Sequence, residues 1–116
     1  MIFFTNIIIF NINLFYIISL GLYAFLVNSY YSKLGSFPID TFLHYDSAHR
    51  ILTGDLPIKD YWIVSGLTVD FIQSLFFKIF GTSWFAYSLH SSVFNLVITI
   101  STYLFFIKIN LEKYKA

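Results

Sequence analysis

The sequence predicts an all-α membrane protein, in which two transmembrane helices flank an external loop that carries two amphipathic interfacial helices. Three observations support this fold class. The chain is 58% hydrophobic and only 11% charged, whereas a soluble domain carries about 25% charged residues. Two apolar stretches are long enough to cross a bilayer. Most of the charged residues lie between them, in residues 33–78.

The first transmembrane helix is expected over about residues 5–31. Its central stretch, IIIFNINLFYIISLGLYAFLV at 7–27, is long enough at about 1.5 Å per residue to cross a hydrocarbon core of roughly 30 Å. A cleaved signal peptide is the alternative, but it requires a basic start and a small-residue cleavage site. The preceding MIFFTN contains no Lys or Arg, so we expect a retained helix.

The second transmembrane helix is expected over about residues 84–107, WFAYSLHSSVFNLVITISTYLFFI, a stretch without Lys, Arg, Asp or Glu. The tail at 108–116 adds Lys108, Lys113 and Lys115. Because short loops rich in Lys and Arg stay on the cytoplasmic side, the tail is expected to be cytoplasmic. With two spans, both termini are then cytoplasmic, and the loop at 32–83 faces the outside or periplasm of a cell or inner membrane.

The external loop is expected to form two amphipathic helices, over about residues 40–53 and 63–80. Asp40 or Thr41 can cap the first helix, and Gly54 is a suitable residue to end it. In the second helix the polar residues recur at helical spacing, so Asp70 is expected on the face that meets water. The apolar faces of both helices would rest on the membrane surface.

Few side chains in this loop are candidates for chemistry. Asp40 follows the first span, where it can be a helix cap, a catalytic carboxylate at a membrane-facing cleft, or both. Asp60 can likewise be a helix cap or a solvated loop charge. The chain has no Cys and no His or Glu pattern typical of a metal ligand set, so no metal site or cofactor is indicated, although two carboxylates could assist a divalent cation. No basic run suggests nucleic acid.

A set of residues in the loop recurs in a known order: Asp40, Tyr45, Ala48, Gly54, Pro57, Asp60 and the segment FGTS at 80–83. Together with the flanking spans, this order resembles the N-terminal part of the membrane-embedded glycosyltransferases of the GT-C superfamily. The likeness is closest to the protein mannosyltransferase and aminoarabinose-transferase branch, and it covers about residues 5–107. Ile58 stands where many members of the family carry Tyr.

The resemblance implies transfer of a sugar from a polyprenyl-phosphate donor to an acceptor on the external face of the membrane. It implies Asp40 as the catalytic base and Asp60 as a second active-site acid. A leaving phosphate requires a cationic partner, for which Arg50 and Lys59 are the candidates, and His44 and Tyr45 are candidate substrate contacts. Such enzymes have many more spans, so the chain is expected to be an N-terminal fragment that needs the remaining transmembrane helices for activity.

Two other functions remain open at this point. The chain could be a small non-catalytic membrane protein whose loop anchors or binds a partner. It could also be part of a transporter, but neither span contains a charged residue, and intramembrane charges commonly mark an ion or substrate path.

Overall fold

The computed structural model describes residues 2–35, 38–63 and 66–113, and these residues form four helices without a strand. Their bounds are α1 at Ile2–Tyr31, α2 at Pro38–Thr53, α3 at Leu67–Phe80 and α4 at Trp84–Lys113. The all-helical prediction is confirmed. Two stretches, Asn13–Tyr31 in α1 and Trp84–Ile109 in α4, are long and apolar enough to span a membrane, as the sequence predicts.

One compact unit consists of α1 up to Asn28 together with α4 from Ser92 onwards. The Asn28 amide donates a hydrogen bond to Ser92 Oγ over 3.0 Å, and the Tyr103 hydroxyl donates one to Asn13 Oδ1 over 3.2 Å. Since the later residue of α1 pairs with the earlier residue of α4, the two helices run antiparallel. Interhelical bonds of this type are a recurrent adhesive between apolar helices.

Helices α1 and α4 approach each other closely at Gly21. A Cβ atom at this position would lie 3.1 Å from Ile100 Cδ1 and 3.6 Å from Leu96 Cγ. These distances leave little room for a side chain at position 21. Because glycine has none, the two helices can approach each other here. Small residues serve the same purpose in many pairs of membrane helices.

The second unit comprises residues 29–91, which include α2, α3, their connection and the first turns of α4. Its apolar core contains Ala48, Phe77 and Ala86, and Tyr45 and Tyr87 pack against them. The Tyr45 ring centroid lies 4.8 Å from that of Phe77. Tyr45, predicted as a substrate contact, therefore contributes to the packing of α2 on α3.

Helix α2 begins earlier than expected. It starts at Pro38, so Asp40 lies within its first turn and is not the residue that precedes the helix. Proline is favoured at the first helical position, because its missing N–H would have no intrahelical partner there. The helix ends at Thr53, before Gly54, whose φ of +104° is readily adopted by glycine.

Helix α3 differs from the prediction in its start and in its orientation. Ile63, the predicted first residue, is not helical, and the helix begins at Leu67. Its buried residues, spaced to lie on one face, are Asp70, Gln73, Ser74 and Phe77. Leu75 and Ile79 are 56% and 72% exposed. The expectation that Asp70 faces water is therefore wrong, since α3 directs its polar face inward and an apolar face outward.

Candidate functional site

Histidines from neighbouring helices contact two side chains on the buried polar face of α3. Asp70 is 2% exposed, and its Oδ1 lies 2.7 Å from His44 Nδ1 on α2. An ionised carboxylate only accepts hydrogen bonds, so the histidine nitrogen is the donor. Asp70 also lies in the first turn of α3, where the partial positive charge of a helix N-terminus favours a negative side chain.

A second buried pair joins α3 to the first turns of α4. His90 Nδ1 lies 2.6 Å from Gln73 Oε1, and the two side chains are 5% and 0% exposed. Among the described residues, no acceptor lies within hydrogen-bond distance of the buried Gln73 Nε2. These contacts use the polar residues of α3 to bind α2 and α4, and this explains why the polar face is inside.

Arg50 is engaged at the surface of α2. Its Nε donates a hydrogen bond to Asp46 Oδ2 over 2.8 Å, its Nη1 lies 3.9 Å from Asp55 Oδ2, and its Cζ lies 5.3 Å from the centroid of the Tyr61 ring. The hydrogen bond and charge of Asp46 raise the pKa of Arg50 above its ordinary value. The guanidinium is thus charged and already shared between two carboxylates, which leaves it little capacity for a phosphate.

The connection after α2 is a tight turn in which Asp60 has a structural role. Asp60 Oδ2 accepts a hydrogen bond from the Leu56 amide over 2.8 Å, and the Asp60 amide donates to the Leu56 carbonyl over 2.9 Å. Ile58 lies between them with a φ of +73°, a conformation that is unfavourable for a β-branched residue. Lys59 is exposed at the same turn.

Asp40 differs from the other aspartates of the chain. Asp46, Asp55, Asp60 and Asp70 each have a hydrogen bond or an ion pair. Asp40 is exposed in the first turn of α2, and within the described ranges no group forms a hydrogen bond or an ion pair with it. Among the described residues, the Asp40 carboxylate is therefore the one that no neighbouring group engages.

A small open pocket of about 40 Å³ lies between α2, the connection at 61–63 and α3. Its polar wall includes Asp46, Asp70, Ser47 and Tyr61, and an exposed indole, that of Trp62, stands at its side. Ser47 Oγ and the Tyr61 hydroxyl are 2.9 Å apart, and the Tyr61 hydroxyl donates to the Ser47 carbonyl over 3.2 Å. The two hydroxyls therefore hold the connection against α2.

The predicted site residues thus have different surroundings. Asp40 and Lys59 are exposed and have no partner among the described residues. Asp60 stabilises a turn, and Arg50 is paired with acidic side chains. His44 is bound to Asp70, and Tyr45 packs against the apolar core. Sequence reasoning did not find the inward Asp70 or the role of Tyr61. The spacing of the polar residues at 70, 73 and 74 predicts that they share one face of a helix. Nothing in the local sequence indicates that this face is buried against other helices. Within the described residues, no group of three or more potential ligands could hold a metal ion.

Comparison with known proteins adds no relative: no family model, no curated protein and no solved structure matches the chain.

Proposed function

We propose that the chain is the N-terminal portion of an integral membrane glycosyltransferase of the GT-C type. The enzyme would transfer a sugar from a polyprenyl-phosphate donor to an acceptor on the external face of the membrane. The loop at 32–83 faces that side, and the remaining transmembrane helices of the enzyme complete the site. The two apolar helices on either side of the loop and the order of loop residues that resembles this superfamily support the proposal.

The observation that carries the proposal is the unengaged carboxylate of Asp40. Transfer requires a base that removes the proton of the acceptor as the acceptor attacks the sugar carbon and the bond from that carbon to the phosphate oxygen breaks. A carboxylate already bound to a backbone amide or a guanidinium is poorly suited to this role. Asp40 is exposed beside the start of α2 without a described partner, whereas Asp60 is bound to the Leu56 amide. We therefore assign the base to Asp40 and a positioning role to Asp60.

The phosphate leaving group requires a cation, and the contacts favour Lys59 over Arg50. Arg50 is bound to Asp46 and lies near Asp55, so a phosphate would have to compete with two acids. Lys59 is exposed at the tip of the connection and, among the described residues, has no acidic partner. A lysine ammonium binds phosphate as a point charge and needs no fixed planar geometry.

The test begins with the coding sequence. We expect an in-frame continuation beyond Ala116 that encodes further apolar spans, and a stop codon at that point would favour the small anchoring protein. Membranes that contain the whole protein are then incubated with labelled polyprenyl-phosphate-linked hexose and pentose donors. The 116-residue chain alone is expected to show no turnover, because the other helices of the site are missing.

The decisive variant is Asp40→Asn, which removes the basic carboxylate and preserves its size. Loss of a general base lowers the rate by roughly 10²–10⁴-fold. Asp55→Asn is the matched control, because it removes another exposed acid of the same loop that does not line the pocket, and its rate should stay close to that of the unchanged protein. Transfer at the full rate by Asp40→Asn would exclude Asp40 as the base.

A further inference from the structure

An exposed carboxamide lies inside the apolar span of α4. Asn95 is exposed, and it lies eleven residues after Trp84, the first residue of the span Trp84–Ile109. At 1.5 Å per residue this is about 16 Å along the helix axis, which is well inside the span. A carboxamide at such a depth has no water to bond with, so it depends on a protein partner.

Asn95 uses only part of its hydrogen-bonding capacity within the chain. Its Nδ2 donates one hydrogen bond to Asn28 Oδ1 over 2.8 Å. An asparagine carboxamide has two N–H donors and a carbonyl acceptor. Among the described residues no other group bonds to the Asn95 side chain, so one N–H and the carbonyl remain. Because an unpaired amide in an apolar environment costs free energy, this side chain favours a partner that both accepts and donates.

Asn95 also begins a line of exposed side chains that has the spacing of a coiled coil. The line, called the Asn95 seam below, continues through Ile98, Thr102, Phe105 and Ile109, and each of these residues is exposed. The steps of three and four residues are those of the a and d positions of a heptad, which pack one helix against another. Transmembrane helices commonly pack with the same geometry.

The Asn95 seam faces away from α1. Helix α1 meets α4 through other residues, among them Leu96, Ile100 and Tyr103. With 3.6 residues per turn, the centre of the seam lies about 140° around the axis of α4 from these residues. Asn95 stands at the edge of the seam, from which it reaches Asn28 with one N–H. The rest of the seam is thus open to a second helix.

A second copy of this chain fits the seam in direction and in chemistry. Copies of one sequence insert into a membrane in the same orientation, so their α4 helices are parallel, with equivalent residues at equal depth. Around a two-fold axis, Asn95 of one copy then meets Asn95 of the other. Each carboxamide can donate its second N–H to the carbonyl of the other. A single Asn at an a position sets the register of parallel coiled coils in the same way.

We propose that two copies of this chain associate in the membrane through the Asn95 seam, with a reciprocal pair of Asn95 carboxamides at its start. The remaining contacts are apolar, since Ile98, Phe105 and Ile109 of the two copies pack against each other. This association requires no sugar transfer, so it goes beyond the proposed function and does not depend on it.

Disulfide crosslinking tests the geometry, because the sequence has no Cys. Ile98→Cys and Phe105→Cys place single thiols on the seam. Val97→Cys and Leu104→Cys are the matched controls, because both residues are also exposed but lie on another side of α4. Two differently tagged copies of each variant are expressed together, and their membranes are treated with a mild oxidant. We expect a disulfide dimer that carries both tags at positions 98 and 105, and little or none at positions 97 and 104.

Substitution of Asn95 tests the carboxamide pair. Association is measured in liposomes by energy transfer between copies labelled at the C-terminus. Asn95→Val should weaken it roughly three- to twentyfold, the range for hydrogen bonds between membrane helices. Asn28→Ala is the control, because it removes the internal partner of Asn95 but leaves the seam unchanged. Its association should stay close to that of the unchanged chain.

Three results would overturn the inference. Equal dimer bands at seam and control positions would mean that the copies meet without a preferred face. Monomer alone at positions 98 and 105 is the result expected if a different transmembrane helix covers the seam. Equal weakening by Asn95→Val and Asn28→Ala, or no weakening by Asn95→Val, would exclude a carboxamide pair between copies.

Discussion

At the scale of single residues, two acid–base pairs of the same unit have different surroundings. Asp70 is 2% exposed and bound to His44, whereas Asp46 and Arg50 are both largely in water. Removal of one partner from a buried pair leaves an uncompensated polar group in the interior, but exposed pairs contribute little. The burial of the acid, and not the length of the bond, therefore decides which pair matters for stability.

His44→Ala should accordingly destabilise the protein by about 1–3 kcal/mol, because the Asp70 carboxylate loses its described donor. This would lower the midpoint of thermal unfolding in detergent micelles by several degrees. Asp46→Ala, which breaks the exposed pair, should leave the midpoint unchanged. Equal midpoints for the two variants would contradict the importance of the buried pair.

Ile58 carries local backbone strain that another residue would relieve. Its φ of +73° is unfavourable for a β-branched side chain, and 73% of the residue is exposed, so little packing would be lost on substitution. Ile58→Asn should stabilise the protein by about 1 kcal/mol, since Asn tolerates this region far better. Leu56→Asn, in the same connection but with a negative φ, is the control and should not raise the unfolding midpoint.

At the scale of the helices, α3 shows what the sequence could and could not predict. The spacing of its polar residues correctly indicates a helix with two distinct faces. The side on which each face lies depends on partners distant in the chain, because His44 and His90 bind Asp70 and Gln73 from other helices. A local pattern contains no such information. A polar helix face is usually assigned to the side that meets water. This rule fails for α3, because the surroundings of this helix are expected to be partly apolar.

The candidate site also has some features that the local sequence predicts and others that depend on contacts between distant segments. The exposed position of Asp40 just after the first span follows from its place in the sequence. The role of Asp60 does not, because its carboxylate is bound by the Leu56 amide, a contact created by the shape of the turn. The pocket beside Tyr61 and Trp62 also depends on the meeting of three separate segments.

The orientation of α3 leads to a test on two phenylalanines of the same helix. Phe77 is 1% exposed and lies against the Tyr45 ring, whereas Phe71 is 45% exposed. Phe77→Ala should destabilise the protein by about 3–5 kcal/mol, as is usual for a large-to-small change in a core. Phe71→Ala should cost much less. A larger effect for Phe71 in the thermal unfolding midpoint would mean that the outward face is the packed one.

At the scale of the whole chain, the distribution of apolar surface is unusual for a protein in water. The two spans have 6% of their residues buried, and large side chains such as Tyr23 and Ile79 are 68% and 72% exposed. Large exposed apolar side chains in such numbers favour contact with lipid or with other protein segments. The hydrogen bonds of Asn28 and Tyr103 join the two helices, an arrangement that would suit a membrane interior.

The orientation of these 116 residues in the membrane can be tested by expressing them alone, because they contain no Cys and a single introduced thiol is then the one reactive group. Lys59→Cys lies in the exposed connection of the loop, and Lys115→Cys lies in the C-terminal tail. Since basic residues are retained on the cytoplasmic side, a membrane-impermeant maleimide should label position 59 in intact cells or spheroplasts. It should reach position 115 only after permeabilisation. The reverse pattern would place Asp40 and the pocket on the cytoplasmic side and would exclude an external donor site, whereas labelling of both positions in intact cells would contradict a cytoplasmic tail.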